Sequence, residues 1–308
     1  MFSIIICTYN GSSRIERVLD CILQQCDFDK YVDELIVVDN CSTDNTKNII
    51  NRYLKNYNKV VYLYEKLPGL SNARLCGVNY CSSEWIIFLD DDNFIQPNWI
   101  KNAFMYICAT ENIGAFNGNV VPKFDKTLTY KQKKIIEACY LGLACSAYSE
   151  ESITTVDEKS WAPFGAGLVI RTQPLKQLAK LGWLKSEGRK LNQIISGEDS
   201  EMAAWVKEKG FKWGFCNDIL LYHEIGEKRL DLNYLNKLYF SFGVANYFAI
   251  SNKKYGFLRK IKWSFIEATR YVKAKSENFI LKKKGKNYYK NLLAVSRSKG
   301  YFNCIKLH

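Results

Sequence analysis

Three consecutive aspartates, Asp90, Asp91 and Asp92, stand directly after a run of large apolar residues at positions 85–89. Such a run, bounded by charge, predicts a buried strand. Three carboxylates at the point where a strand surfaces repel one another at close range. Hard cations such as Mg²⁺ and Mn²⁺ prefer oxygen ligands and commonly share them with substrate phosphates. The triplet therefore predicts either a cation site or a solvated turn, because Asp and Asn are common turn formers.

Two predicted strands nearer the N-terminus also end on polar side chains. One, at residues 3–8, runs into a Thr-Tyr-Asn sequence, and the other, at residues 34–39, ends on an aspartate. In open parallel sheets, ligands bind beyond the carboxyl ends of the strands. We therefore expect these polar groups and the aspartate triplet to converge at one edge. The residues concerned are Thr8, Tyr9, Asn10 and Asp39.

The elements that position these residues alternate along the chain. Apolar runs at residues 3–8, 34–39, 60–65 and 85–89 are separated by segments with helical spacing. Near-continuous apolar strands that alternate with helices predict a parallel sheet covered on both faces. After residue 93 the alternation stops. The elements expected there are strands near 115–121, 167–170, 211–215 and 219–222, helices near 131–147 and 200–209, and a mainly helical region from 231 onward.

The composition is that of an ordinary globular protein, with 47% hydrophobic and 24% charged residues in 308. Eleven cysteines and two histidines, without a CxxC pair, argue against a zinc site of Cys and His, and reduced, buried thiols of a cytosolic protein are expected instead. No apolar run reaches eighteen residues, and the N-terminus lacks the features of a signal peptide. We therefore expect no transmembrane helix.

Positive charge is concentrated at the C-terminal end. Residues 253–308 hold 16 Lys+Arg against two glutamates, a balance of +14, whereas the whole chain carries +13. This asymmetry indicates an anionic partner, and a membrane surface is favoured over nucleic acid because no nucleic-acid-binding motif accompanies it. The aromatic segment 238–250 beside these cations predicts an interfacial helix. The alternatives are a solubilising tail, and aromatics that pack on the protein core or on a second copy in a homo-oligomer.

Six short motifs occur in order along residues 1–225, and together they resemble the family 2 glycosyltransferases, the GT-A group that uses nucleotide-sugar donors. The resemblance implies an α/β fold of the GT-A type: a Rossmann-like, mostly parallel sheet flanked by helices, here with a helical, basic C-terminal extension. The motifs are Cys7-Thr8-Tyr9-Asn10, Val-Val-Asp-Asn-Cys-Ser-Thr-Asp at 37–44, Gly-Leu-Ser-Asn-Ala-Arg at 69–74, Phe-Leu-Asp-Asp-Asp at 88–92, Gly165-Ala166-Gly167 and Gly197-Glu198-Asp199.

The resemblance also implies roles for the donor-side residues. The nucleobase pocket is expected to involve the end of the first strand and Asp39, while Asp91 lies near the ribose. Asp92 is expected to bind Mn²⁺ or Mg²⁺ that bridges the donor diphosphate, with His223 as a second ligand; the alternative for His223 is a packed or surface side chain. The nucleotide-sugar-binding residues are Thr8, Tyr9, Asn10, Asp39, Arg74, Asp90 and Asp91.

On the acceptor side, the resemblance implies that Asp199 is the general base and that the anomeric centre is inverted by a single displacement. General-base catalysis needs one positioned carboxylate, and inversion needs no nucleophilic one. The alternative for Glu198 and Asp199 is a pair of carboxylates at a helix N-terminus. A loop containing Trp161 is expected to face the acceptor or to pack its aromatics internally. The acceptor-side residues are Trp161, Gly165, Ala166, Gly167 and Glu198.

The sequence therefore predicts an inverting, metal-dependent glycosyltransferase that moves a sugar from a UDP-sugar to a hydroxyl of a glycan or lipid-linked acceptor, in surface polysaccharide biosynthesis. We expect a nucleotide-sugar-binding subdomain at residues 1–115, an acceptor-binding subdomain at 116–225 and the extension at 226–308. The expected location is cytoplasmic, peripheral on the inner face of the membrane. The alternatives are an inactive binding protein of the same fold, and a sugar-nucleotide pyrophosphorylase, which the absence of a Gly-rich basic loop after the first strand disfavours.

Overall fold

A computed structural model describes residues 1–157, 161–184, 197–252, 257–280 and 285–307. The chain forms two compact units. The first comprises residues 1–123, 144–192 and 198–224, and the second comprises residues 124–143, 193–197 and 225–308.

The helices and strands of the described residues follow in chain order. They are β1 (Phe2–Thr8), α1 (Ile15–Leu23), α2 (Phe28–Tyr31), β2 (Val32–Asp39), α3 (Thr46–Asn56), β3 (Val60–Tyr64), α4 (Leu70–Tyr80), β4 (Trp85–Asp90), β5 (Asn93–Ile95), α5 (Trp99–Ala109), β6 (Ile113–Lys123), α6 (Tyr130–Cys139), β7 (Leu168–Arg171), α7 (Thr172–Lys180), α8 (Glu198–Glu208), β8 (Lys212–Glu224), α9 (Leu232–Asn252), α10 (Phe257–Ile280) and α11 (Lys286–Leu307).

The first unit is built on a mixed sheet with strand order β3-β2-β1-β4-β7-β6-β8-β5 among the described residues. The four N-terminal strands β1 to β4 run parallel, β7 is antiparallel to both of its neighbours, and β6 pairs parallel with β8. Ile4, Ile5 and Ile6 of the central strand β1 are fully buried, because helices cover both faces of a parallel sheet. The predicted Rossmann-like, mostly parallel sheet flanked by helices is confirmed.

Two predicted elements differ from the structure because tertiary contacts override the local pattern. The helix expected over 131–147 ends at Cys139 and is followed by one 3₁₀ turn, because Ala144 has φ +57 and Ser146 bonds through its backbone N–H to Val120 O at 2.8 Å. The two short strands expected near 211–222 form one strand, β8. Its register against β6 shifts at Gly118, which leaves a bulge between the two predicted pieces.

Two further differences concern helix α5 and the cysteines. Helix α5 lies in a stretch where the sequence showed no regular alternation, and it buries Trp99 and Ile100. Nine of the eleven thiols are buried or half-buried, but Cys26 and Cys108 are exposed, so the expectation of buried thiols is wrong for these two. An apolar neighbourhood in the sequence does not decide which side of a helix faces the core.

The second unit contains α6 together with α9, α10 and α11, and the last three form the helical, basic extension that was expected at the C-terminal end. Helices α9 and α11 approach closely through glycines: a Cβ on Gly243 would overlap Arg297 O, and one on Gly300 would overlap Phe240 O. Tyr247 of α9 packs edge-on against Tyr301, with ring centroids 5.5 Å apart. These contacts involve Phe240, Gly243 and Tyr247 of the segment that was expected to be interfacial, a role that stays a prediction. Along the described parts of the chain, no helix has both the length and the apolar character needed to span a bilayer.

We predict that Gly300→Ala destabilises the second unit by about 2 kcal/mol, the usual cost of overpacking a close contact. The obstructing atom is a backbone oxygen, which has no rotamer to move away, and the loss should exceed the helix-propensity gain of up to about 1 kcal/mol for Ala over Gly. Denaturant unfolding followed by far-UV circular dichroism measures the change. Gly226→Ala is the control, because a Cβ there would meet no atom within 4 Å. Equal midpoints for the two variants would contradict the prediction.

Candidate functional site

The polar residues at the ends of β1, β2 and β4 lie at the same level of the sheet. Thr8 is in register with Asp39, and Cys7 is in register with Asp90. The backbone N–H of Asn40 donates to Thr8 O at 2.9 Å, which extends the β1–β2 ladder past the strand ends. The convergence that the sequence predicted at the carboxyl edge is therefore present in the structure.

The turn after β1 is held in a strained conformation by the segment that follows β2. Asn10 has φ +49; its N–H donates to Ser42 Oγ at 2.9 Å, and its Oδ1 accepts from Thr43 N at 2.8 Å. Gly11 follows, where a Cβ would overlap Thr8 Oγ1, so only glycine fits. Tyr9, at the tip of this turn, is 43% exposed and so is accessible to a planar ligand.

Asp39 is 1% exposed and is fixed by two donors. Its Oδ1 accepts from the Ser42 N–H at 2.9 Å, and its Oδ2 accepts from the Tyr62 hydroxyl at 3.0 Å. Burial and the bond to Asp39 raise the pKa of Tyr62, so this hydroxyl keeps its proton and remains a donor. Tyr62 was not a predicted site residue; it lies on β3 opposite Val37, a position set by the strand register.

Asp91 is buried between β4 and the turn after β1. Thr8 Oγ1 donates to its Oδ2 at 2.7 Å, and Arg14 contacts both of its oxygens at 3.1 Å. Burial and the neighbouring Asp92 raise the pKa of Asp91, while Arg14 acts in the opposite direction. Asp91 therefore ties the aspartate triplet to the first turn, and its predicted contact with a ribose remains a prediction.

Asp92 and His223 come together at the far side of the triplet. His223 Nε2 lies 3.4 Å from Asp92 Oδ1, and both side chains are buried. The pair is assembled by strand β5, which follows the triplet and pairs with β8 so that Asn93 stands opposite His223. Asn93 Nδ2 donates to Asp92 Oδ1 at 3.0 Å, which helps to orient the carboxylate.

The Asp92–His223 pair fits a divalent cation that is shared with a phosphate ligand. A carboxylate and an imidazole suit Mn²⁺, and Mg²⁺ is commonly held by one or two carboxylates plus substrate phosphates. Within the described ranges, no group of three or more His, Cys, Asp or Glu side chains has the arrangement of a metal site. A cation at this pair would therefore need additional oxygen ligands from a substrate or from water.

Arg74 is a buried cation surrounded by carboxylates. It is 3% exposed, its Nη1 lies 3.4 Å from Glu198 Oε1, and its Nη2 lies 3.9 Å from Asp90 Oδ1. Burial acts to lower the pKa of Arg74, but Glu198, Asp90 and Asp199 together raise it above its ordinary value. Asp90 is the most exposed carboxylate of the triplet, with 34% of its side-chain surface accessible. Arg74 therefore links the end of β4 to the start of α8.

Asp199 lies in the first turn of α8, beside the Gly165-Ala166-Gly167 segment. Its Oδ2 accepts from the Gly165 N–H at 2.6 Å, and its Oδ1 accepts from the Ser200 N–H at 2.9 Å. A Cβ on Gly165 would stand 3.2 Å from Asp199 Oδ2 and 3.1 Å from Arg74 Nη2, so a glycine permits this close approach. Gly167 has φ +67, which also favours glycine. Helix α8 begins two residues earlier than predicted, so Glu198 and Asp199 are also helix N-terminal carboxylates.

The loop before β7 is fixed by Asn117 of β6. The Asn117 amide donates to Phe164 O at 2.8 Å and to Ala166 O at 3.0 Å, and its Oδ1 accepts from the Phe164 N–H. Trp161 packs edge-on against Phe215, with ring centroids 4.7 Å apart. This contact agrees with the internal-packing alternative for Trp161. Its buried indole N–H has no acceptor among the described residues.

Four residues that organise the site were not predicted from the sequence. Arg14, Tyr62 and Asn117 each contact residues of a distant segment, so no local sequence motif marks them. Asn93 could have been predicted most readily, because it directly follows the aspartate triplet. The four are Arg14, Tyr62, Asn93 and Asn117.

The fold and the sequence together place this chain in the class of glycosyltransferases. The model of glycosyl transferase family 2 matches residues 3–170, more than half of the chain. The chain belongs to this family.

One relative in sequence is the poly(ribitol-phosphate) beta-N-acetylglucosaminyltransferase TarS of Staphylococcus aureus. It is 35% identical over 107 residues, which are 34% of this chain and 18% of TarS. The match thus spans less than a fifth of the length of that relative.

Two solved structures show the same fold. TarS 1-349 in complex with UDP-GlcNAc superposes with a TM-score of 0.55 at 18% identity, covering 90% of this chain and 71% of that one. The mannosyltransferase PcManGT from Pyrobaculum calidifontis, in complex with GDP-Man and Mn²⁺, gives a TM-score of 0.60 at 16% identity, covering 97% and 86%. The predicted GT-A fold is confirmed.

We predict that Glu198→Gln lowers the free energy of unfolding by about 2 kcal/mol, because it removes a charged partner from the buried guanidinium of Arg74. Thermal denaturation at neutral pH measures the change. Glu208→Gln, at the exposed end of the same helix, is the control and should stay within about 0.5 kcal/mol of the parent. A destabilisation no larger than that of the control would show that Glu198 is not an important partner of Arg74.

Proposed function

We propose that this chain is an inverting, divalent-metal-dependent glycosyltransferase. It transfers a sugar from a nucleotide-sugar donor, a UDP-sugar, to a hydroxyl group of a glycan or lipid-linked acceptor in surface polysaccharide biosynthesis. The single observation that carries the proposal is the link that Arg74 makes between Asp90, at the donor end of the sheet, and the α8 turn that holds Asp199. A donor-side and an acceptor-side group held by one buried cation suit a reaction between two bound substrates.

The donor assignment draws on the first turn and on Asp39. Tyr9 offers an exposed ring, and the buried Asp39 carboxylate is held in place by Ser42 and Tyr62. A fixed carboxylate acceptor suits the ring N–H of a uracil. The complex of TarS with UDP-GlcNAc supports UDP, whereas that of PcManGT with GDP-Man shows that the fold accepts other bases. The division into a donor part at 1–115 and an acceptor part at 116–225 belongs to the same proposal.

Asp92 and His223 are the residues that would hold the divalent ion, Mn²⁺ or Mg²⁺. When bound, such an ion supplies Lewis-acid stabilisation of the negative charge on a leaving diphosphate. The chain's own contribution is orientation. Asn93 donates to Asp92 Oδ1, and the Glu224 N–H donates to Asp92 O at 2.9 Å, so side chain and backbone at this position are both held.

Asp199 is the general base in this proposal. The Gly165 and Ser200 N–H groups donate to its two oxygens and fix the direction of the carboxylate, leaving further lone pairs for an acceptor hydroxyl. A base in this position takes the acceptor proton as the hydroxyl attacks the anomeric carbon, and the nucleoside diphosphate leaves from the opposite face. Because no covalent sugar–enzyme intermediate forms, the anomeric configuration inverts. The names of the relatives support the proposed acceptor. The positive charge at the C-terminal end supports the proposed location, peripheral on the inner face of the cytoplasmic membrane.

The metal assignment predicts different effects for two variants. Asp92→Ala should abolish transfer, because it removes a carboxylate ligand, whereas His223→Ala should raise the Mn²⁺ concentration needed for half-maximal rate without abolishing turnover. Sugar transfer or donor hydrolysis is measured across a Mn²⁺ titration, with circular dichroism to verify folding. Asp218→Ala, at an exposed position of the same strand as His223, is the control. Full activity of Asp92→Ala in chelator-treated buffer would rule out the metal role.

The base assignment predicts that Asp199→Asn keeps the shape of the site but lowers the chemical step by about 10² to 10⁴-fold, the usual range for loss of a general base. Donor affinity, measured by calorimetry, should change little. Glu198→Gln is the comparison, since it should weaken the fold more than the chemical step. Loss of donor binding by Asp199→Asn with turnover of bound donor retained would show that the assignment is wrong, and retention of the anomeric configuration by product NMR would contradict inversion.

A further inference from the structure

Helix α10 carries exposed apolar side chains along one side. Ile261, Phe265 and Val272 are 50%, 73% and 64% exposed. Their spacings of four and seven residues, with Ala268 between them, place all four on one face of an α-helix. We call Ile261, Phe265, Ala268 and Val272 the α10 face. Isolated exposed apolar residues are normal, but three large ones in line on one helix mark an interaction surface.

The opposite side of α10 is already packed. Glu267 is fully buried, accepts from Ser298 Oγ of α11 at 3.0 Å and pairs with Arg270. Ala274 is 4% exposed on the same side. Helix α10 therefore packs within the second unit through the side that carries Glu267 and Ala274. The α10 face is a separate apolar surface that does not hold the helix in place.

Basic side chains border the α10 face. Lys262 and Lys275 are exposed, and Lys273 has 75% of its side-chain surface accessible. The only acids within α10 are Glu267, which is buried, and Glu277, which lies 3.9 Å from Lys273. Residues 253–308 as a whole carry 16 Lys+Arg against these two glutamates. The face is thus apolar at its centre and cationic at its margins.

We infer that the α10 face docks onto an anionic membrane surface, with Ile261, Phe265 and Val272 in the acyl boundary and the lysines among the headgroups. Apolar and basic side chains on adjoining sides of one helix are what interfacial binding requires, because each part of the surface meets a matching layer of the bilayer. This differs from the expectation for the aromatic segment of α9, whose side chains contact residues of its own unit.

Charge and size favour a membrane surface over a second copy of the chain or a soluble anionic polymer as the partner of the α10 face. A second copy would bring two positively charged faces together, and like charges oppose association. Three apolar side chains also cover far less than the roughly 1,200–2,000 Å² that a stable protein interface buries. A soluble anionic polymer would satisfy the lysines but would leave the apolar side chains in water. A lipid surface satisfies both groups.

The test is binding of the full chain to vesicles, without any nucleotide sugar, so its outcome is independent of the proposed reaction. Co-sedimentation with phosphatidylglycerol-containing vesicles should greatly exceed that with pure phosphatidylcholine, and should fall as salt shortens the Debye length toward about 3 Å at 1 M. Phe265→Ser should lower the vesicle partition coefficient on the order of tenfold, through lost apolar burial. Each of Lys262→Gln and Lys275→Gln should lower it about fivefold.

Helix α5 offers matched controls, because Met105 is 56% exposed there and Lys101 is an exposed basic residue one turn away. Met105→Ser and Lys101→Gln should leave vesicle binding unchanged. Equal binding to neutral and anionic vesicles, binding to neither, or equal losses in the α5 and α10 variants would overturn the inference. Binding to soluble polyphosphate with no effect of Phe265→Ser would assign the surface to an anionic polymer, and concentration-dependent dimerisation that Phe265→Ser abolishes would assign it to a second copy.

Discussion

Several carboxylates lie close together at the carboxyl edge of the sheet. The site depends on cations that offset the repulsion between them. Arg14 contacts both oxygens of Asp91, and Arg74 stands between Asp90 and Glu198. Removing the cation from such a group leaves buried negative charge, which costs several kcal/mol. The arginines therefore stabilise Asp90 and Asp91 at the edge of the sheet, whereas Asp92 lies beside His223.

Backbone geometry supports this arrangement of charge. The turn after β1 places Asn10 at positive φ, and Gly11 packs where a side chain would overlap Thr8. Gly165 similarly allows Asp199 to approach its N–H and the guanidinium of Arg74. Strain and tight contacts of this kind persist only where the surrounding structure holds them, and they concentrate at functional sites. The turn after β1 and the segment before β7 thus share one feature, a glycine that lets a backbone N–H or a carboxylate come close.

The second unit follows a different design. Its helices α9 and α11 pack through Gly243 and Gly300, and α10 joins them through the side that carries Glu267. Glycine in a helix interior costs about 1 kcal/mol relative to alanine, so its presence at two facing positions is explained by the close approach of the helices. Packing of this kind fixes which side of α10 is covered, and hence which side presents Ile261, Phe265 and Val272 to the surroundings.

The sequence by itself determined the four parallel strands and the order of the site motifs. Apolar runs that end on Asp39 and Asp90 identified strands β2 and β4, and parallel pairing then required their ends to meet at one edge. Only the tertiary structure decided which side chains pair there. Arg14 and Asp91 are 77 residues apart, and Arg74 and Glu198 are 124 apart. Such pairs depend on strand register and on the packing of helices against the sheet, whereas a sequence pattern records only the local preference of each segment.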